Sequence, residues 1–182
     1  MATARKKAAS KKAAGTKSTG RKTASRKSAA RSQDALALLR ADHDAVIAMF
    51  KKFEKSNDDD QKQQLADRIC KELTVHTQIE EEIFYPAIRD AHPVKDSDDI
   101  LDEADVEHDG AKKLIEEIQS SSVGEDKFDA MITVLSEYIK HHVKEEYDSI
   151  FPAAKKAKLD LQGIGEQLAS RKQELMGAEG AE

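Results

Sequence analysis

Four histidines and two glutamates stand in this chain at spacings that would bring imidazoles and carboxylates to one place. His76 begins the phrase HTQIEEEIFYP, and His142 begins its echo, HVKEEYDSIFP. In each copy a glutamate, Glu80 or Glu146, follows its histidine by four residues, and a proline, Pro86 or Pro152, follows six later. Residues four apart stack on one face of a helix, so each phrase aims an imidazole and a carboxylate the same way. His43 and His108 complete the set. His43 precedes His76 by 33 residues, and His108 precedes His142 by 34. ADHDAVIAMFKKF opens one half and VEHDGAKKLIEEI the other, so the chain contains an internal repeat that twice supplies His, then His-x-x-x-Glu.

This donor set is suited to a metal. Four imidazoles and two carboxylates, with no thiolate, favour a first-row transition ion over calcium or magnesium. Two carboxylates can each bridge two ions, which fits a dinuclear centre. Buried carboxylates without a metal or partner would carry a large desolvation penalty. Zinc is compatible, but a mixed His/Glu set inside helices looks more like non-haem iron. Ferritin-like bundles place Glu-x-x-His on two helices, and zincin proteases carry HExxH; neither pattern occurs here.

The elements that must position these groups read as helices. Apolar residues recur at helical spacing in four segments. The first, Asp34 to Lys55, carries Leu36, Leu39, Val46, Phe50 and Phe53, with Ser32 or Asp34 as cap. The second, from about Asp60 to Tyr85, carries Leu65, Ile69, Leu73 and Ile83 and meets Pro86, a kink or a new turn. The third, near Asp99 to Gln119, carries Leu101, Ala104, Ala111, Ile115 and Ile118. The fourth, near Glu125 to Phe151, carries Phe128, Met131, Leu135 and Ile139 and meets Pro152. No strand-like alternation appears. The expected fold is all-α, an antiparallel up-down four-helix bundle. Each helix then turns one histidine inward, and the second and fourth add a glutamate. After Pro152 a short amphipathic helix with Ile164, Leu168 and Leu175 is expected to pack outside the bundle or meet a partner.

Charge divides the chain in two. Residues 1–33 hold 11 of its 30 Lys and Arg and no acid, leaving 19 basic against 35 acidic residues, net −16, in the rest. The cations are Arg5, Lys6, Lys7, Lys11, Lys12, Lys17, Arg21, Lys22, Arg26, Lys27 and Arg31. Interleaved with Ala, Ser, Thr and Gly, they have too little apolar surface to offset chain entropy, so the tail is expected to be disordered. Its composition resembles linker histones and bacterial histone-like proteins. It can neutralise phosphates without reading sequence, and it lacks aromatic platforms for single strands. An organelle transit peptide fits less well, because Lys outnumbers Arg and no amphipathic face forms. A solubilising tail is the remaining option. No transmembrane run or secretory signal is seen, and the lone Cys70 excludes an internal disulfide framework. A cytoplasmic protein, or a nucleoid-associated one, is expected.

The residues around Asp42–His43, Glu107–His108 and the two repeated phrases resemble the hemerythrin-like, or HHE cation-binding, domain over about Leu36 to Pro152. The resemblance implies a non-haem di-iron centre, two ions per chain with oxo or hydroxo and carboxylate bridges. Its ligands by motif position would be His43, His76, Glu80, His108, His142 and Glu146. Oxygen-carrying hemerythrins have a second histidine where Lys112 stands and an Asp where Tyr147 stands; Glu146 takes that role. One imidazole fewer favours sensing, redox chemistry or detoxification of O2, peroxide or NO over reversible carriage.

The expected organisation is a basic tail (1–33), a bundle (34–155), and a C-terminal helix with a polar end (156–182). The leading function is binding or sensing of O2 or a related oxidant at di-iron, with the tail contacting nucleic acid. Two alternatives are a nucleoid-associated DNA binder with the bundle as structural or metal-responsive head, and an iron-handling oxidase. Glu81 and Glu82 are expected on a solvated face. His141 is expected to flank the site or support it from behind, His92 to sit in a connection, and Cys70 to pack. Tyr85, Tyr138 and Tyr147 are not placed by the sequence.

Overall fold

In the computed structural model, which describes residues 33–91 and 97–178, local sequence signals set the helix ends. The basic tail and His92 lie outside the described residues. Asp34 caps α1 (Ala35–Lys55), its carboxylate accepting the Ala37 N–H at 2.8 Å. Asp58 does the same for α2 (Asp59–Ile79), accepting the Gln61 N–H at 2.7 Å. Each cap satisfies an amide that a helix start leaves without an intrahelical partner. The link between the two helices is short enough to force an antiparallel pair. The second pair is α4 (Ser97–Gln119) and α5 (Phe128–Glu145). α5 starts after the expected Glu125, because Gly124 (φ +90°) and Lys127 (φ 72°) hold left-handed backbone that a right-handed helix excludes. α1 and α4 each pack against both α2 and α5, which closes the four-helix bundle. Every element among the described residues is a helix, and none is long and apolar enough to cross a membrane.

The two prolines do not end their helices. α2 passes through a π turn at Glu80–Phe84 into α3 (Tyr85–Ala91), and α5 through a π turn at Glu146–Ile150 into α6 (Phe151–Lys156). In each turn the amide five residues on, Tyr85 or Phe151, donates to the carbonyl of Glu80 or Glu146. A proline inside an α-helix removes one amide and crowds the preceding turn. Pro86 and Pro152 instead take the second position of the α segment that resumes after the wider turn. The extra residue also rotates the rest of the helix, so that Tyr85 and Ile88 face the core rather than solvent.

Two apolar clusters fill the bundle, one at each end. One includes Leu36, Leu39, Ile79, Phe84, Tyr85, Leu101 and Phe151; the other includes Val46, Phe50, Ile69, Leu73, Ile115, Phe128 and Leu135. The inward histidines lie between them, since His43 falls between Leu39 and Val46. Met131, Leu65 and Ile83, expected in the stripes, are only partly buried at the margins. The C-terminal α7 (Leu161–Ala178) runs against α1 and α2 and buries Ile164 and Leu168, while Leu175 is partly covered. It reaches that close because of Gly165. A Cβ there would lie 2.7 Å from Ala35 N and 2.8 Å from Asp34 C, tighter than real Cβ contacts allow.

Gly165→Val should therefore destabilise the fold by about 1–3 kcal/mol, the usual range for overpacking, lowering the urea midpoint. Gly177→Ala, where an added Cβ meets nothing within 4 Å, should leave the midpoint unchanged or slightly raised. Equal midpoints for both variants would refute close docking of α7.

Candidate metal centre

The repeat converges on one buried layer. His43 Nε2 faces His76 Nε2 at 2.8 Å, and His108 Nε2 faces His142 Nε2 at 3.0 Å. The two glutamates lie between the pairs. Glu80 Oε2 is 3.3 Å from His76 Nε2 and 3.6 Å from His108 Nε2. Glu146 Oε2 is 3.1 Å from His43 Nε2 and 3.9 Å from His142 Nε2. Each carboxylate thus reaches one imidazole of each pair. Glu80 and Glu146 are completely buried, and each of the four histidines is at most 5% exposed. The structure therefore brings together all six residues singled out from the sequence.

The donor chemistry fits a cation. Both oxygens of Glu80 and Oε2 of Glu146 are buried without a hydrogen-bond partner, a state that burial penalises unless something positive occupies the space between them. Tyr85 donates its hydroxyl proton to the remaining Glu146 oxygen, Oε1, at 3.1 Å. The two carboxyls behave unequally. Burial, then the adjacent Glu146 charge, pushes the Glu80 carboxyl well above its usual range. Burial works to raise Glu146 too, but the His43 imidazole 3.1 Å from its Oε2 and the other nearby imidazoles outweigh it and hold Glu146 low. Burial pushes His76 down to about 4, and it lowers His108 as well, so both present neutral imidazoles. Burial also acts against charge on His142, but its bond with Glu107 and the Glu146 charge raise it overall.

Each histidine's outer nitrogen meets a residue that the sequence reading did not assign to the site. His142 Nδ1 lies 2.8 Å from Glu107 Oε2, and His76 Nδ1 faces Asp42 Oδ2 at 3.6 Å, longer than a hydrogen bond. His108 Nδ1 lies 2.9 Å from Glu81 Oε1, and His43 Nδ1 lies 3.2 Å from the Tyr147 hydroxyl. Such partners orient imidazole ligands and raise their basicity. They are backed in turn. Lys112 donates to both oxygens of Glu81 at 2.7 and 2.8 Å. Lys172 of α7 lies 2.7 Å from Asp42, and Arg40 stacks 4.3 Å from the Tyr147 ring centre.

Glu81 is therefore part of the site's support and not a free solvated residue. Relative to the His76 face it does turn away, but what it holds is a histidine on α4. Glu82 is exposed and paired with Arg171 of α7 at 2.7 Å. The repeat itself held the missed signal. Residues preceding the first histidine of each half, Asp42 and Glu107, support the second histidine of the same half. Residues following each glutamate, Glu81 and Tyr147, support the first histidine of the opposite half. Cys70 packs in the core as expected. Tyr138 is half-exposed on the outer surface. The tail cations from Arg5 to Arg31 lie outside the described residues.

Comparison with known proteins agrees with this geometry. The family model described as Hemerythrin HHE cation binding domain matches residues 34–154. A DNA nickase of Nostoc sp. is 30% identical over 116 residues, which cover 64% of this chain and 32% of that protein. The match thus spans about a third of the relative's length. The crystal structure of a hemerythrin HHE cation binding domain-containing protein from Mycobacterium kansasii resembles the chain with a TM-score of 0.68 at 20% identity. It covers 80% of this chain and 89% of that one, a likeness of fold.

Protons and a cation compete for these donors, which gives a pH test. Because the Glu80 carboxyl and the His142 imidazole are both raised, a divalent ion must compete with protons to bind. Titrating the metal-free protein with Mn(II) in buffers of different ionisation enthalpy should show release of about one proton or more per chain at neutral pH. Affinity should weaken steadily as pH falls from 8 to 5. Binding without proton release would contradict the raised Glu80 carboxyl.

Proposed function

The chain belongs to the hemerythrin HHE cation-binding family, and from that premise we propose that it holds a non-haem di-iron centre that binds or senses O2 or a related small oxidant. One ion would take His43 and His76, the other His108 and His142, and Glu80 and Glu146 would be shared. The observation that supports this most is the pair of buried carboxylates, whose partnerless oxygens each lie near both histidine pairs. Bound iron would supply one-electron redox chemistry and positions open to O2, peroxide or NO.

The chain's own residues provide the rest. The apolar clusters above and below keep bulk water from the layer. Tyr85 holds a proton beside Glu146, since burial and the two carboxylates raise its hydroxyl well above the usual range. Lys112, standing where oxygen carriers have a further histidine, is turned to Glu81. That leaves the His108 side with one imidazole fewer, which supports sensing, redox chemistry or detoxification over reversible carriage.

The tail belongs to the same proposal. Residues 1–33 would contact nucleic acid through phosphates, residues 34–155 form the bundle, and 156–182 the C-terminal part, which α7 ties to α1. A cytoplasmic location with nucleoid association follows from that assignment. A second reading makes DNA binding primary and the bundle a metal-responsive head. It draws on the eleven tail cations and on a relative named as a DNA nickase, although the match spans only part of that protein.

Purified protein should contain about two irons per chain and show bridged-ferric visible absorption; both should vanish in His76→Ala plus His142→Ala. A folded, iron-free, colourless wild type would sink the di-iron reading. Deleting residues 1–33 should abolish salt-sensitive duplex binding, whose log–log slope is about −0.9 per phosphate, with the iron spectrum intact. Unchanged DNA affinity after deletion would remove the tail from the function.

A further inference from the structure

A second His-x-x-x-Glu pair runs beside the inward one. The sequence HHVKEE contains His142 with Glu146 and, offset by one residue, His141 with Glu145. One step along α5 is about 100° of rotation, so the second pair faces outward. Its counterpart in the first half does not exist, since Val75 and Ile79 stand there.

We propose that His141, Glu145 and Glu107 form a third, surface cation site for a borderline divalent ion such as Fe(II), Mn(II) or Zn(II), and that it stages ions for the buried centre. His141 Nε2 lies 3.2 Å from Glu145 Oε1 and 3.5 Å from Glu107 Oε1. One donor atom from each residue falls within 4.8 Å of the other two, as ligands around one ion would. One imidazole and two carboxylates match a borderline ion and leave room for water ligands. His141 and Glu145 are 64% and 42% exposed, so an ion can reach them from solvent.

Glu107 links this site to the inner one. Its Oε1 faces His141, while its Oε2 is bonded to His142 Nδ1 at 2.8 Å. An ion on the surface would therefore sit one carboxylate away from an imidazole of the buried set. The approach is acidic. Asp99 and Glu103 stand at four-residue steps before Glu107 on α4, along one face. They line a shallow concavity with Glu107, His141 and Glu145, and no Lys or Arg contributes to it among the described residues. Asp102 at its edge is already paired with Arg89 at 2.8 Å. A cleft of one charge sign concentrates the opposite ion. The other three ligand histidines are backed by Lys112, Lys172 and the Arg40-stacked Tyr147. His142 alone among the four has an exposed imidazole behind its partner.

The ion site stands on these surface residues, whereas its staging role rests on the proposed di-iron reading. The test uses the full metal-free chain titrated with Mn(II), with bound ion counted by paramagnetic resonance, beside stopped-flow uptake of Fe(II). Wild type should bind about three ions, the third more weakly. His141→Ala plus Glu145→Gln, both away from the buried layer, should weaken only that third ion by about tenfold or more. Fe(II) uptake should slow several-fold, with the same final content. Glu80→Gln plus Glu146→Gln should do the reverse, losing the buried ions and keeping the surface one. Identical Mn(II) binding in wild type and the surface variant would overturn the site. Loss of the third ion with unchanged uptake rate would overturn the staging role. A wild type that binds one ion, lost in the surface variant, would uphold the site while removing the buried centre.

Discussion

Burial of Glu80 and Glu146 is the constraint around which the bundle is arranged. Both are inaccessible to solvent, and three of their four oxygens have no hydrogen-bond partner. An uncompensated buried carboxylate carries a penalty of the order of several kcal/mol. In the metal-free fold the pair lowers that penalty by dividing its roles. The Glu80 carboxyl is pushed up by burial and the Glu146 charge, while Glu146 is held low by the nearby imidazoles and accepts from Tyr85. The two apolar clusters hold the polar layer from both ends of the bundle.

The π turns answer a related demand. A glutamate four residues after its histidine needs regular α geometry, which α2 and α5 provide up to Glu80 and Glu146. Beyond that point the chain must bring Phe84, Tyr85 and Phe151 inward to seal the layer, and a proline stands six residues on. Inserting one extra residue per turn at the glutamate satisfies both requirements. The irregularity thus begins at the residue that most needs an ordered helix before it.

The outer residues make a symmetric centre chemically unsymmetric. In one half a lysine from α7 stands behind Asp42, and in the other an exposed histidine stands behind Glu107. Lys112 backs Glu81, whereas Arg40 lies over Tyr147. The two histidine pairs therefore feel different fields despite matched spacing. α7 contributes to this through Lys172, so a helix outside the four-helix bundle reaches the support of the site. Gly165 permits that reach by letting the backbones of α7 and α1 approach closely.

Much of this was legible in the sequence. Period-3.6 stripes such as Leu36–Leu39–His43–Val46–Phe50 determine that a histidine faces inward, because helix geometry is local. The doubled His-x-x-x-Glu determined that imidazoles and carboxylates come in a two-fold set. Asp34 announced its helix by capping chemistry that involves only the next three residues. What the sequence left open involves partners distant along the chain. Glu81 turns away from its own histidine and toward His108, 27 residues on; Tyr147 meets His43 across 104 residues. Nothing local encodes which helix lies opposite, nor that a π turn will rotate Tyr85 toward Glu146. The left-handed backbone at Lys127 likewise delayed α5 beyond its helical pattern. Tertiary packing decided these points, since an imidazole's second nitrogen takes whichever donor or acceptor the neighbouring helix sets beside it.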